Sequence, residues 1–467
     1  MKKTMFGLAA AVAAFAITPN PNLSIGKNLY VDGAVNSNWK PEVFTDGHLD
    51  FNQVASASDF ALNVGEGPTK LFITWETRGD EAWIGDQYVH AASCQHNPKA
   101  DASLQNFKVM TSANSTNGAD GDWETVAEVG ESGAMSRGLA IDFAGKSWFR
   151  IVADKAVTNL EEVGAYDMSK GGDDTWFFMG TSISQMGIKS IEVDSNFAQL
   201  IHARYPDYYP VMLRGGIGCV NTDGVIDGLQ FYSEYVGNVK YWAIEMGTND
   251  AWGDETGWNV EHFKSNMQDI IDVAKRNGVT PIIARMIATN PDVAKWQVHQ
   301  GYLDAIDELT EKNKLPKGPD FFGYFSKHPE ELSAQDGVHP AEKGAASMHR
   351  LWAEAMAPLY EAGDKGGESS DGSEEEGSGN ETNCIGGEMT NCVGNAQAVV
   401  SRNVRFAVPQ ISVSGKSIVV SGLQESAQVA VMDLMGHAVK NRDLTSGTYF
   451  VVIRDKGLSY SAKVTVK

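Results

Sequence analysis

Four short apolar runs, separated by polar and helical patterns, constrain this chain more than any other feature. TWFFMG (175–180), YPVMLRGG (209–216), VKYWAIEMG (239–247) and VTPIIARM (279–286) are nearly continuous in apolar residues. Strands covered on both faces read this way. Between the last two runs, Val260, Phe263, Met267, Ile270, Ile271 and Ala274 recur at helical spacing, and Asn277-Gly278 supplies a stop. The alternation predicts a parallel α/β sheet with crossover helices. In such a sheet, chemistry gathers just past the carboxyl ends of the strands, near the switch in strand order.

The segments that follow each run therefore matter most. GTSIS follows the first and carries Ser182; RGGIGC (214–219) ends the second; GTND (247–250) ends the third; and DGVHP (336–340) precedes a final helix from about Ala341. A serine hydroxyl is a poor nucleophile until a base takes its proton. His339 is the matching base, and Asp336 three residues earlier is suited to fixing its tautomer and stabilising the imidazolium. The oxyanion formed by attack on a carbonyl needs preorganised donors. The backbone N–H groups of Ser182 and Gly218 and the side-chain amide of Asn249 are the candidates. This chemistry calls for no metal and no cofactor. His262 and His299 lie in helical patterns and His328 precedes Pro329, so they are weaker candidates for the base.

Singly these signals are weak; their order at successive strand ends is informative. In that order the chain resembles the SGNH (GDSL-type) hydrolases, whose four blocks present Ser, Gly, Asn and His. The resemblance covers roughly residues 172–360, with GTND and DGVHP the most specific blocks. It implies a three-layer flavodoxin-like fold, a Ser182–His339–Asp336 triad and an oxyanion hole from Ser182, Gly218 and Asn249. Two departures stand out. Thr181 occupies the place where the family usually has Asp, which removes a charge, and Gly215, Gly216 and Gly218 all fit some register of the glycine block. Cys219 falls where another glycine often sits.

Residues 22–155 read as strands instead. KLFITWET (70–77), LAIDFA (139–144) and SWFRIVAD (147–154) are β-branched or aromatic and bounded by turn residues. They predict a β-sandwich. NLSIGK, FTDG, FALNVGEGPTKLFITWE and NFKVMTS followed by GDWETV resemble, in sequence order, a discoidin-like (galactose-binding-like) jelly roll. That resemblance implies sugar-binding loops, for which Trp39, Trp83 and Trp123 are candidates, with core roles equally open. In NSTNGADGDW (114–123), Asp120 and Asp122 suggest calcium less strongly than a turn.

Residues 361–382 hold no large apolar side chain and cannot offset their own ordering entropy, so they read as a flexible acidic linker. The tail beyond it shows short alternating strands. GTYFVV and VMDLMGHAV resemble the C-terminal sorting domain of type IX secretion, with a small carbohydrate-binding or adhesion module as the competing reading. Of the four cysteines, Cys384 and Cys392 lie in a small duplication and suit a local bridge, with Cys94 and Cys219 unassigned. Lys2 and Lys3 precede an apolar stretch ending near Ala14-Phe15-Ala16, the parts of a secretory signal. The expected organisation is a signal at 1–16, a discoidin-like sandwich at 17–165, a hydrolase at 166–360, a linker at 361–395 and a small β-sandwich at 396–467.

A net charge of −22 disfavours nucleic acid and anionic membrane surfaces. No stretch beyond the signal is long enough to span a bilayer. The tail is basic, with nine Lys and Arg against four Asp and Glu, so the acidity lies on the segments before it. Together these features predict a secreted esterase that removes acyl groups, foremost acetyl, from a near-neutral polysaccharide such as acetylated xylan. Its expected partners are that polymer and, through the tail, secretion machinery. The alternatives are a lipase or thioesterase on small acyl esters, and a carbohydrate-binding adhesin whose hydrolase domain is dormant because of Thr181.

Overall fold

The computed structural model describes residues 17–35, 41–49, 55–77, 104, 106–130, 136–188, 194–232, 239–364, 410–421, 428–432, 438–442, 444–455 and 458–466. Within them the protein is a multi-sheet α/β molecule.

Seven strands build the first sheet: β1 (Leu29–Val31), β2 (Ala55–Asn63), β3 (Lys70–Thr77), β4 (Phe107–Ser112), β5 (Glu124–Val129), β6 (Ser136–Asp142) and β7 (Trp148–Asp167). These strands share one hydrogen-bonded network. The 20 residues of β7 are the reason. Its first half pairs antiparallel with β2 and β4, and its second half pairs with β3. The registers shift at Ala55–Asp59 and at Glu76–Thr77, irregularities that bend and twist a strand. Phe60, Leu62, Ile73, Trp75, Val109, Phe149, Ile151 and Val163 converge from both halves on one buried cluster.

The second sheet holds β8 (Thr175–Gly180), β9 (Val211–Gly216), β10 (Tyr241–Glu245), β11 (Thr280–Arg285) and β12 (Lys317–Asp320). Every residue of β8, β9 and β10 is buried, which explains their unbroken apolar reading. All neighbours are parallel, and the order is β12-β11-β10-β8-β9. Counted from β8 this is the doubly wound order 2-1-3-4-5 of flavodoxin-like folds, with its switch point between β8 and β10. The helices are α1 (Ser182–Ile188), α2 (Phe197–Arg204), α3 (Thr222–Tyr232), α4 (Val260–Arg276), α5 (Pro291–Ala294), α6 (Gln300–Asn313), α7 (Phe321–Phe325) and α8 (Glu342–Asp364). Helices α1 and α2 pack on α8, while α4 packs with α3 and α6. The predicted helix at 260–278 is α4, ended by Asn277 and by Gly278 at φ +76°. Helix α8 continues four residues into the acidic segment, where Glu361 accepts from Arg204 at 2.7 Å.

The two sheets are joined by buried charge and by the start of the described chain. Arg214 on β9 forms an ion pair with Glu76 of β3 and lies 3.8 Å from Glu161 of β7. Burial pushes its guanidinium down to about 9. Ile17 is 2% exposed and belongs to the α/β core with Phe72 and Tyr166 of the first sheet. Thr18 N–H donates to Asp173 Oδ1 at 2.7 Å.

Beyond residue 409, β13 (Gln410–Ser414) pairs with β14 (Ser417–Ser421), and β15 (Gln428–Met432), β16 (Ala438–Val439), β17 (Gly447–Asp455) and β18 (Leu458–Val466) form a separate antiparallel sheet. Ile418 of β14 joins Val431, Leu444, Tyr449, Val451 and Val466 in one small core. Among the described residues no helix is long and apolar enough to cross a membrane.

Candidate active site

The switch point places the ends of β8 and β10 side by side, with Gly180 opposite Glu245. Ser182 begins α1 directly after β8. Its Oγ lies 2.9 Å from His339 Nε2, and His339 Nδ1 lies 2.9 Å from Asp336 Oδ2. Serine and base are 157 residues apart in sequence, yet they sit at hydrogen-bonding distance.

The base loop is held from within. Asp336 Oδ1 accepts the backbone N–H groups of Val338 at 2.8 Å and His339 at 3.0 Å. Burial raises its pKa, but those two N–H groups and the imidazole outweigh it and hold the carboxyl below the usual range. An ionised Asp336 is acceptor-only, so the Nδ1 proton points to it and the Nε2 lone pair points to the serine. Gly337 takes φ +66°, and its N–H donates to Ser333 O at 2.7 Å, closing the turn.

The glycine and asparagine blocks meet at the same end of the sheet. Ile217 N–H donates to Gly180 O at 2.9 Å, so the peptide leading to Gly218 lies against the end of β8. Asn249 Nδ2 donates one hydrogen to Val220 O at 2.7 Å. An amide carries two hydrogens, so this bond fixes the group while leaving the other N–H for an oxyanion. Asp250 accepts from Thr222 N–H at 3.1 Å and from its hydroxyl, tying the asparagine loop to the start of α3. Gly216 is required by packing, since a Cβ there would come within 2.2 Å of Gln185 N in α1. Gly215 is tight as well, since a Cβ there would fall 2.2 Å from the Phe177 ring, and Gly218 follows both in the loop after β9.

Two features escaped the sequence reading. Glu245, wholly buried at the end of β10, faces three hydroxyls: Thr181 at 3.1 Å, Ser184 at 3.4 Å and Thr248 at 3.4 Å. Burial pushes its carboxyl up to about 8, against the pull of those hydroxyls. Thr181 also accepts from Ile183 N–H at 3.1 Å. A carboxyl is thus present under the nucleophile turn, but below about pH 8 it brings no charge. The signal for it was available: a glutamate in a strand buried on both faces is costly unless it has partners or a role. Cys219 is the second. It forms a disulfide and sits at φ +59° directly after Gly218.

The other candidates lie elsewhere. His262 Nε2 is 2.6 Å from Asp223, His299 caps α6 through Gly301 N–H, and His328 stacks on Tyr324. His328, Glu330 and Glu331 can present ligand atoms to one metal ion within 4.8 Å of one another, but Glu331 already accepts from Tyr324 and Ser347. Trp123 donates to Asp120 O at 2.7 Å, and Arg150 lies over its ring at 5.4 Å, so its face is used internally. Asp120 accepts from Ser115, Thr116 and Asn117, and Asp122 from Asn114, which is turn chemistry. Trp39, Trp83, Cys94, Cys384, Cys392 and the segment 365–409 lie outside the described residues.

No family model matches the sequence, and no curated protein does. Among solved structures, the chain is similar to the protein YXIM from Bacillus subtilis at 14% identity and TM-score 0.36, over 72% of this chain and 89% of that one. A lipase/acylhydrolase from Enterococcus faecalis matches at 16% identity and TM-score 0.31, over 39% of this chain and 95% of its own. The acetylxylan esterase Axe2 from Geobacillus stearothermophilus matches at 15% identity and TM-score 0.31, over 40% and 93%. Similarity this distant does not assign an activity. The triad geometry bears on that directly.

Proposed function

We propose that this protein is a secreted serine esterase that removes acetyl groups from a near-neutral polysaccharide such as acetylated xylan. The observation that carries ester hydrolysis is the continuous chain Ser182 Oγ–His339 Nε2 and His339 Nδ1–Asp336 Oδ2, each link 2.9 Å. His339 takes the serine proton as Oγ attacks the ester carbonyl, and Asp336 stabilises the imidazolium. The N–H groups of Ser182 and Gly218 and the amide of Asn249 receive the oxyanion. Protonated His339 then gives its proton to the leaving sugar hydroxyl, and water activated by the same histidine releases acetate.

The choice of a neutral polymer draws on the acidic charge ahead of the tail, which disfavours polyanions. Export draws on the signal-like first 16 residues, and the discoidin-like segment would hold the enzyme near its polymer. Acetate release from acetylated xylan, acetylated pectin and short-chain lipid esters, by wild type and by Ser182→Ala, tests the reading. Loss of at least about a thousandfold in Ser182→Ala is expected. Equal rates above background would remove the catalytic assignment. Faster release from lipid than from xylan would move the substrate to the lipase reading.

A further inference from the structure

The mechanism leaves unused a pair of tryptophans on the two loops beside the site. Trp252 lies three residues beyond Asn249 on the loop after β10, and Trp296 lies on the turn after β11, the neighbouring strand. Their ring centroids are 5.0 Å apart at 49°. Trp252 is 52% exposed, and Trp258 on the same loop is 77% exposed. Indoles are usually well covered, because each can bury about 150–250 Å².

The position of the pair follows from its anchors. Asn290 N–H donates to Gly337 O at 2.7 Å, and a Cβ on Gly337 would come within 2.8 Å of Val293 Cβ. The turn that carries Trp296 therefore packs against the loop of Asp336 and His339. Trp252 meets Trp296 of that turn and lies three residues from Asn249 in sequence. The pair thus lies at the carboxyl end of the sheet, on loops that adjoin those of Asn249 and of His339.

Both loops are held by internal hydrogen bonds. Asp254 accepts the N–H groups of Thr256, Gly257, Trp258 and Asn259 and the hydroxyl of Tyr302. Ala251 is fully buried and donates to Gly247 O at 2.8 Å. On the other turn, Gln297 Oε1 accepts from Thr289 N–H and Val298 N–H, and Thr289 Oγ1 donates to Trp296 O. These bonds hold the backbone on both sides of the exposed indole, which lowers the cost of ordering the loops on binding.

We infer that Trp252 and Trp296 form a platform that binds a pyranose ring of a neutral oligosaccharide beside the catalytic serine. An indole face carries negative quadrupole density and suits the slightly positive C–H face of a sugar ring, whose hydroxyls stay in water. An acyl chain would want enclosure on all sides, which a half-exposed ring does not offer. The platform deepens the esterase reading and rests on it for the identity of the site.

The test measures binding apart from catalysis. Unacetylated xylohexaose, mannohexaose and cellohexaose are titrated calorimetrically into the full chain as wild type, Trp252→Ala, Trp252→Phe and Trp296→Ala. Dodecanoate serves as the acyl control. Ethyl acetate hydrolysis by wild type and Ser182→Ala is followed separately. At least one hexaose should bind wild type. Each alanine variant should weaken it tenfold or more and Trp252→Phe by no more than about threefold. The Trp252 variants should keep the wild-type thermal midpoint, whereas Trp296→Ala, whose indole packs partly on the core, should lower it while still unfolding cooperatively. The inference is overturned if no hexaose binds wild type below about 10 mM, on the order of the weakest useful sugar contacts. Equal affinity in wild type and Trp252→Ala overturns it as well, as does dodecanoate binding that the alanine variants abolish. Tryptophan-dependent sugar binding without Ser182-dependent hydrolysis would sink the esterase reading and leave the platform standing. Hydrolysis without sugar binding would do the reverse.

Discussion

The hydroxyl of Thr181 donates to Glu245 Oε2 at 3.1 Å, joining the residue before the nucleophile to the strand that leads to Asn249. The same carboxyl meets Ser184 of α1 and Thr248 of the asparagine loop. One buried group therefore ties together the two loops that present Ser182 and Asn249.

Glu245 should leave a pH signature on stability. Burial raises its pKa from 4.5 to about 8. Between those values the folded chain keeps a proton that the unfolded chain has released. Its contribution is complete below about pH 4.5 and is lost as pH rises toward 8. Glu245→Gln keeps the shape without the ionisation, so between about pH 5 and 8.5 its unfolding midpoint should fall less than that of wild type. Parallel midpoints across this range would contradict the assignment.

Asp336→Asn tests tautomer control. The 2.9 Å contact to His339 Nδ1 would survive, but an amide can turn its NH₂ toward the ring and favour the wrong tautomer. Turnover should fall by about a thousand- to ten-thousandfold with little change in thermal midpoint. A loss below tenfold would show that the carboxylate does not orient the base.

Gly216→Ala probes the seat of the nucleophile helix. Its new Cβ would lie 2.2 Å from Gln185 N and 2.6 Å from Gln185 Cα, both backbone atoms of α1. The helix carrying Ser182 must move. A destabilisation of about 1–3 kcal/mol is expected, together with a fall in turnover. Wild-type turnover in this variant would mean that the end of β9 has slack the packing does not show.

Arg214→Met tests the join between the sheets. Removing the guanidinium leaves Glu76 and Glu161 buried without their cation, at a cost of about 3–5 kcal/mol. Adding Glu76→Gln should recover part of that loss in chemical denaturation. If the double variant is no more stable than Arg214→Met, the charge argument fails.

The apolar runs determined much of this protein before any tertiary structure was considered. Strands buried on both faces must be continuous in apolar residues, so 175–180 and 280–285 were legible, as was the helix at 260–276 from its period and its Asn-Gly stop. Short-range chemistry was legible too: Asp336 and His339 are three residues apart, and the turn that joins them is local.

What depended on distant residues was decided only by the fold. The strand order set the switch point between β8 and β10, which brings Ser182 to His339 across 157 residues. The need for a glycine at 216 became visible only when that residue met the backbone of α1. Glu245 read as one more residue of a strand until three hydroxyls converged on it, and Trp252 and Trp296 lie 44 positions apart until β10 and β11 pair. The strand signal in residues 22–155 was local alternation, which says nothing of how strands connect, and the length of β7 makes those strands one network. Periodicity reports the faces of an element, because burial acts on each residue where it stands. A site is a property of distances between elements, and those distances exist only once the chain has packed.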